Sequence, residues 1–173
     1  MNQYSKRTSI IHWVILVLFL TALGLGMWLA DRENTAQKLS TYPAHFLIGD
    51  LVFFLVLVRI YFRKKDGEPA PANANPLLNK VSAATHVLLN LSLIAVAISG
   101  FVTVATSGLL EAFKSGDPSK IPDFDKVPAK EFHEIFIGVL LLLIAFHVVA
   151  ALYHQFIVKD NLLRRIMVRR FED

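Results

Sequence analysis

Histidine shows the clearest chemical pattern in this chain, because all six histidines stand at or inside four long apolar segments. Two of them, His133 and His147, are 14 residues apart within one segment. At about 1.5 Å and about 100° per helical residue, this spacing is about 21 Å along the axis and returns both rings to nearly the same face. Imidazole is the usual protein ligand of b-type haem, and ionisable side chains inside a bilayer are costly enough to indicate function. The pattern predicts a transmembrane cytochrome with two stacked haem b groups.

The composition independently predicts a membrane protein. Hydrophobic residues make up 54% of the 173 residues, and the mean hydropathy of +0.49 lies above that of ordinary soluble proteins. Four apolar stretches, near residues 9–30, 43–62, 80–107 and 131–158, are each long enough to cross a hydrocarbon core of about 30 Å. The expected fold is all-α, an integral membrane four-helix up-and-down bundle that forms a single domain over residues 1–173.

Two further features of the sequence narrow the chemistry. The first apolar stretch is expected to be retained, because it carries His12 and Trp13 near its start and has no small-residue cleavage site before Asp31. Cysteine is absent, which excludes disulfides, iron–sulfur ligation and thiol catalysis. Histidine is therefore the only strong cofactor ligand in the sequence.

The distribution of basic residues predicts the orientation. If four helices alternate in direction, 12 of the 18 lysines and arginines lie on one side, namely Lys6, Arg7, Arg59, Arg63, Lys64, Lys65, Lys80, Lys159, Arg164, Arg165, Arg169 and Arg170. The positive-inside rule then places both termini in the cytoplasm. The net charge of +4 suits contact with anionic headgroups and gives no argument for nucleic acid.

The connections between the apolar segments differ in composition. The stretch from Lys64 to Asn79 contains Pro69, Pro71 and Pro76, which favours an extended cytoplasmic linker. The longer outer connection, residues 107–129, mixes glycine and proline with apolar residues, and we expect a short interfacial helix near residues 108–115.

The depth of each histidine suggests how the rings pair. With the amino terminus inside, His45 and His133 both begin helices on the outer side, so they form a natural pair of axial ligands for an outer haem. Four rings compete for the inner level: His12, His86, His147 and His154. Spacing alone also allows His12 with His154 or His86 with His147, so depth leaves the inner pair open.

Six motifs stand out between the two ends of the sequence: YSKRTSIIHW at residues 4–13, HFLIG at 45–49, VRIYFR at 58–63, KEFHE at 130–134, AFHVVAALYHQF at 145–156 and VKDNLLRR at 158–165. Together they resemble the bacterial cytochrome b561 family, and most closely its superoxide oxidase branch. The resemblance implies two haem b groups, with an inner haem between His12 and His147 and an outer haem between His45 and His133. It also implies that His86 and His154 do not bind iron. Both would lie near a quinone site on the cytoplasmic side, where protons are needed.

The function implied by this resemblance is a superoxide:ubiquinone oxidoreductase. Electrons from periplasmic superoxide would pass through the outer and inner haems to ubiquinone, while His86 and His154 supply or relay protons. Two alternatives remain open. The chain could be an electron-transfer subunit that links the quinone pool to a redox partner protein, or a haem-free, histidine-lined transporter.

Other polar residues have less specific predictions. Arg59 near the inner end of the second helix is a candidate to bind a quinone carbonyl or a haem propionate, although snorkelling to headgroups is equally simple. Lys130, one turn before His133, is a candidate to steer superoxide to the outer haem or to bind a propionate of that haem, and an ordinary helix-end lysine is an equally simple interpretation. The outer side has no excess of positive charge that would attract an anion, because it carries six basic and seven acidic residues. The basic residues are Arg32, Lys38, Lys114, Lys120, Lys126 and Lys130, and the acidic ones are Asp31, Glu33, Glu111, Asp117, Asp123, Asp125 and Glu131.

Five glycines and one aspartate within the apolar segments are further candidates for a role near the haems. Gly24, Gly26, Gly49, Gly100 and Gly138 lie within the apolar segments, where each could clear space for a macrocycle or for helix packing. Asp50 lies about 7 Å along the helix beyond His45, and we expect it to face the bundle interior because a lipid-facing carboxylate is expensive.

Overall fold

The computed structural model describes residues 3–70 and 75–168, and every regular element in these ranges is helical. The long helices are α1 (Lys6–Ala30), α2 (Ala36–Asp66), α3 (Pro76–Ser107) and α5 (Pro128–Tyr153), which continues as a π-helical turn over His154–Val158. A short helix, α4 (Leu109–Ser115), and 3-10 turns at Pro118–Lys120, Phe124–Lys126 and Leu162–Ile166 complete the described elements. Pro71, Arg169 and Arg170, which the linker and orientation predictions use, lie outside the described residues.

The helices begin earlier than the hydrophobic stretches predict, because polar caps extend them. Ser5 accepts a hydrogen bond from the Thr8 amide, and Thr35 accepts one from Lys38. Pro43, taken above as the start of the second helix, therefore lies inside α2. The short helix expected near residues 108–115 is confirmed as α4.

The four long helices form two packed pairs. α1 packs along α2, and α3 packs along α5, whereas the two pairs meet mainly through α2 and α3. One end of the bundle, called here the basic end, holds the beginnings of α1 and α3 and the ends of α2 and α5. The opposite end, called the loop end, holds α4 and the two 3-10 turns before α5.

A buried cluster closes the loop end. Leu109 and Ala112 of α4 are fully buried there, together with Leu29, Leu39, Tyr42 and Ile121. Aromatic rings line this cluster, with Tyr42 and Phe46 stacked at 5.8 Å between centroids and Phe46 edge-on to Phe113 at 6.4 Å. The ring of Phe46, which follows His45 in the chain, has its centroid 6.1 Å from that of the His45 ring. The buried cluster therefore lies beside a candidate ligand.

Hydrogen bonds tie the two ends of the chain together at the basic end. The Tyr4 amide donates to the Arg165 carbonyl at 3.0 Å, and the Trp13 indole donates to the Ile166 carbonyl at 3.1 Å. Arg7 of α1 forms a bidentate ion pair with Asp66 of α2. The segment after α5 therefore packs against the beginning of α1.

All four long helices are long and apolar enough to cross a membrane. Large apolar side chains such as Phe54, Phe101 and Phe146 are exposed on their outer faces. Such a surface suits lipid rather than water.

Candidate functional site

His45 of α2 and His133 of α5 face each other at the loop end. Their ring centroids are 6.5 Å apart and their planes are inclined by 80°. Metal–nitrogen bonds of about 2 Å on both sides of one iron, together with the ring radii, bring two imidazole centroids to about 6 Å. The two rings are therefore spaced as a pair of axial ligands would be.

The ring of His45 lies against α1. Its Nδ1 is 3.0 Å from the carbonyl oxygen of Ala22, and a carbonyl can only accept, so Nδ1 carries the proton and Nε2 keeps its lone pair. One turn further along α1, a Cβ added at Gly26 would lie 3.0 Å from Cε1 of this ring. Gly26 therefore leaves the space that the imidazole occupies.

His133 lies against α3 in the same way. Its Nδ1 is 2.9 Å from the Val96 carbonyl oxygen and 3.0 Å from the hydroxyl of Ser99. A Cβ added at Gly100, again one turn beyond the carbonyl, would lie 3.1 Å from Cε1 of the ring. Each ring thus has a carbonyl that fixes its tautomer and a glycine that makes room for it.

These contacts separate the five glycines considered above. Gly26 and Gly100 clear an imidazole, whereas a Cβ added at Gly24, Gly49 or Gly138 meets nothing within 4 Å. The sequence gives a weak signal for these two imidazole sites, because Ala22 is followed by Gly26 on α1 and Val96 by Gly100 on α3, each four positions later.

Three histidines lie together towards the basic end. The rings of His86 on α3 and His147 on α5 are 5.4 Å apart, inclined by 71°. His12 on α1 lies edge-on to Trp13 at 5.3 Å and is within electrostatic range of both other rings and of Arg59. The structure therefore brings His86 into ring contact with His147 and leaves His12 nearby.

His154 forms a separate pair at the end of the bundle. Its Nδ1 is 2.6 Å from a carboxylate oxygen of Asp160, whose other oxygen accepts from the Leu162 amide at 3.1 Å. The chain reaches this geometry through the π-helical turn and two left-handed residues, Lys159 and Asn161. Asp160 was not singled out from the sequence, although it belongs to the VKDNLLRR motif.

Lys130 has carboxylate partners on both sides. Its Nζ is 2.7 Å from Asp125 and 3.2 Å from Glu134. Nearby, hydrogen bonding to Lys126 lowers the pKa of the Asp123 carboxyl, which keeps this carboxylate ionised at neutral pH. The positive charge of Lys130 is therefore offset locally, which favours a structural role over steering of an anion.

The prediction that Asp50 faces the bundle interior is wrong, because its side chain is exposed on α2. Five residues after His45, it is rotated by about 140° from that histidine at about 100° per residue. Since His45 points towards α1 and α5, Asp50 points outward.

These arrangements fit haem b. At the loop end, the imidazoles of His45 and His133 have the spacing and the tautomer of a ligand pair, and the buried aromatic cluster lies beside His45. At the basic end, His147 has two histidine neighbours, and the guanidinium of Arg59 lies within electrostatic range. An electron carrier is the chemistry that this arrangement supports, because paired imidazoles are the usual protein ligands of haem b iron.

Comparison with known proteins agrees with this chemistry. A model of the family described as prokaryotic cytochrome b561 matches residues 3–168. The chain is 29% identical to cytochrome b561 homolog 1 of Escherichia coli (strain K12), over 98% of this chain and 99% of the relative. It is 30% identical to cytochrome b562 of Cereibacter sphaeroides, over 95% and 94% of the two chains. It is also 26% identical to the probable superoxide oxidase CybB of Yersinia pestis, over 98% of each chain.

The match to the family extends over almost the whole chain, and the bacterial relatives are covered nearly end to end. With its four membrane-spanning helices, the protein is a multi-pass protein of the bacterial inner membrane. The family implies haem b as the cofactor and electron transfer as the general function. The chain therefore belongs to the prokaryotic cytochrome b561 family of electron-transfer cytochromes b.

Proposed function

We propose that this protein is a di-haem cytochrome b that oxidises superoxide at the loop end and reduces ubiquinone at the basic end. The loop end would face the periplasm, and both termini the cytoplasm. In the overall reaction, two superoxide ions become two dioxygen molecules, and one ubiquinone takes up two electrons and two protons to become ubiquinol. Haem b, when bound, supplies the one-electron carrier that this conversion requires.

The observation that carries the proposal is the facing pair of His45 and His133 at 6.5 Å. Both rings contact a backbone carbonyl through Nδ1, so the Nε2 of each ring keeps the lone pair that an iron ligand needs. The 26% identity to a probable superoxide oxidase over nearly all of both chains supports superoxide as the electron donor.

The packing of the helices supports His12 with His147 as the second ligand pair. The loop-end pair takes one histidine from each helix pair, His45 from α1–α2 and His133 from α3–α5. His12 with His147 repeats that arrangement, whereas His86 and His147 both belong to helices that pack directly against each other. Their ring contact makes His86 the second candidate for this position.

His86 and His154 are proposed to serve the quinone at the basic end. The hydrogen bond from His154 Nδ1 to Asp160 fixes the histidine tautomer and leaves Nε2 free to exchange a proton with a reduced quinone oxygen. Asp160 is about a quarter exposed, so it can be reached from the aqueous side. Together, His154 and Asp160 form a short proton path into the basic end.

A second function is an electron carrier between the quinone pool and a partner protein. The pairing of Lys130 with Asp125 and Glu134 favours it, because the loop end then lacks the positive rim that would concentrate superoxide. Such a carrier would use the same ligands.

The test is a haem-to-protein ratio on detergent-purified protein with a reduced-minus-oxidised spectrum, followed by superoxide with and without ubiquinone. Two b haems per chain that are reduced by superoxide and reoxidised by ubiquinone would support the proposal. Addition of superoxide dismutase must abolish the reduction. Two haems that stay oxidised in superoxide would overturn it in favour of the electron carrier.

A further inference from the structure

Four buried polar side-chain atoms in the described residues have no hydrogen-bond partner, and all four lie at the basic end. They are Ser9 Oγ on α1, Arg59 Nε and Arg63 Nε on α2, and Gln155 Oε1 in the π-helical turn. Buried polar groups are nearly always paired, so a cluster of unpaired ones indicates a polar ligand. Three of the four can donate a hydrogen bond to such a ligand.

The two arginines give this site its charge. They stand one turn apart on the same face of α2, and arginine cannot lose its proton in a protein. Among the described residues, Arg59 forms no ion pair, and Arg63 reaches a carboxylate only through its Nη2, 2.8 Å from Glu68. Both arginines are half-buried, and among the described residues Glu68 is the one carboxylate that pairs with either of them, so two guanidinium groups share a single negative charge. Partly buried charges that lack a partner are unfavourable, and the site therefore favours a further negative group.

The position of the arginines indicates which anion they bind. Arg59 lies within electrostatic range of His12, His86 and His147, and Arg63 within range of His86. The missing negative charge therefore belongs beside the histidines of the basic end. A quinone is uncharged, whereas haem b carries two propionate carboxylates on one edge, which planar guanidinium groups bind in bidentate fashion.

We infer that Arg59 and Arg63 bind the propionate carboxylates of the basic-end haem, with the hydroxyl of Ser9 as a further donor. The inference rests on the proposed di-haem function, and it assigns Arg59 to the cofactor rather than to the quinone. Gln155 is not included, because its unpaired atom is an acceptor. The arginines neutralise the carboxylates and favour the reduced form of the iron.

The test compares Arg59→Gln, Arg63→Gln and Arg59→Lys with Lys64→Gln in redox titrations of the purified holoprotein. Lys64 is exposed on the same turn of α2, so its substitution removes an equal charge without touching the buried site. Each arginine-to-glutamine change should shift the one-electron reduction equilibrium of one haem about tenfold towards the oxidised form, which is about 59 mV. Arg59→Lys and Lys64→Gln should each shift it by less than about threefold.

Redox-induced infrared difference spectra identify the anion directly, and the isotope-label part of this test needs only the wild-type protein. In the wild-type protein with haem carrying ¹³C at the propionate carboxyls, the carboxylate bands should shift with the label. Arg59→Gln should move those bands, and Lys64→Gln should leave them in place. Label-insensitive bands with phosphate bands that respond to Arg59→Gln would indicate a lipid headgroup and overturn the inference.

Two outcomes separate this inference from the proposed function. If the protein has two haems and all variants share the wild-type potentials and spectra, only the inference fails. If the arginine variants shift one haem while superoxide and ubiquinone remain inert, the inference stands and the proposed reaction fails.

Discussion

Substitution of Gly26 by alanine should loosen the loop-end haem without removing either ligand. The new Cβ would lie 3.0 Å from Cε1 and 3.6 Å from Nδ1 of His45, whereas unstrained carbon contacts are about 3.5–4.0 Å. The ring must move a few tenths of an ångström away from α1, and this movement lengthens its 3.0 Å hydrogen bond to the Ala22 carbonyl. Overpacking of this kind costs about 1–3 kcal/mol.

This cost converts into a measurable change in haem binding. If it is borne by the haem complex, the dissociation constant of the loop-end haem rises by about 5- to 140-fold, since 1.4 kcal/mol is tenfold. The assay is the rate of haem transfer from the purified protein to excess apomyoglobin, which resolves a fast and a slow component when one of two haems is weakened. The reduced-minus-oxidised spectrum records which haem is lost.

Gly24→Ala is the matched control. It adds the same methyl group to the same helix, two residues earlier, and its Cβ meets nothing within 4 Å. Its haem transfer rate should equal that of the wild type. If Gly26→Ala also transfers haem at the wild-type rate, the close approach of His45 to α1 does not contribute to haem binding. The argument that Gly26 makes room for the imidazole is then refuted.

Three other predictions concern single side chains. His133→Ala should lose the loop-end haem and His147→Ala the basic-end haem, each leaving one b-type signal, and two haems in either variant would break the assignment. His154→Ala should keep both haems and slow quinone reduction, and Asp160→Asn should slow it in the same direction, as measured by stopped-flow reoxidation. Lys130→Gln should change the rate of reduction by superoxide less than about twofold at low salt, because paired charges steer weakly; a larger, salt-dependent loss would restore Lys130 as a steering residue.

The fold class could be predicted from the sequence because membrane helices have a strong, local signal. Each of the four apolar segments became a long helix, and the glycine- and proline-rich outer connection contains the expected short helix. The helix starts were predicted less well. Thr35, for example, caps α2 well before its apolar part, and hydrophobicity does not detect caps.

The orientation of each helix about its own axis could not be predicted in the same way. In a soluble helix, polar residues mark the outer face, but here lipid and protein interior are both apolar, and both faces look alike. The error at Asp50 has this origin. The carbonyl and the glycine that contact each ring of His45 and His133 also depend on this orientation, so these contacts could be recognised only in the packed helices.

The pairing at the basic end depends on the same packing, which adds a physical reason for the pairing that the family resemblance implies. A macrocycle with axial ligands needs space between the helices that supply them, which directly packed helices lack. α3 and α5 pack along each other, so His86 and His147 leave little space between their helices, whereas His12 approaches from the other helix pair. His12→Ala should therefore leave one haem per chain, and His86→Ala should leave two, as counted by pyridine haemochrome against protein concentration. The opposite result would assign the ligand to His86, and the proton path would then have to rely on His154 and Asp160 alone.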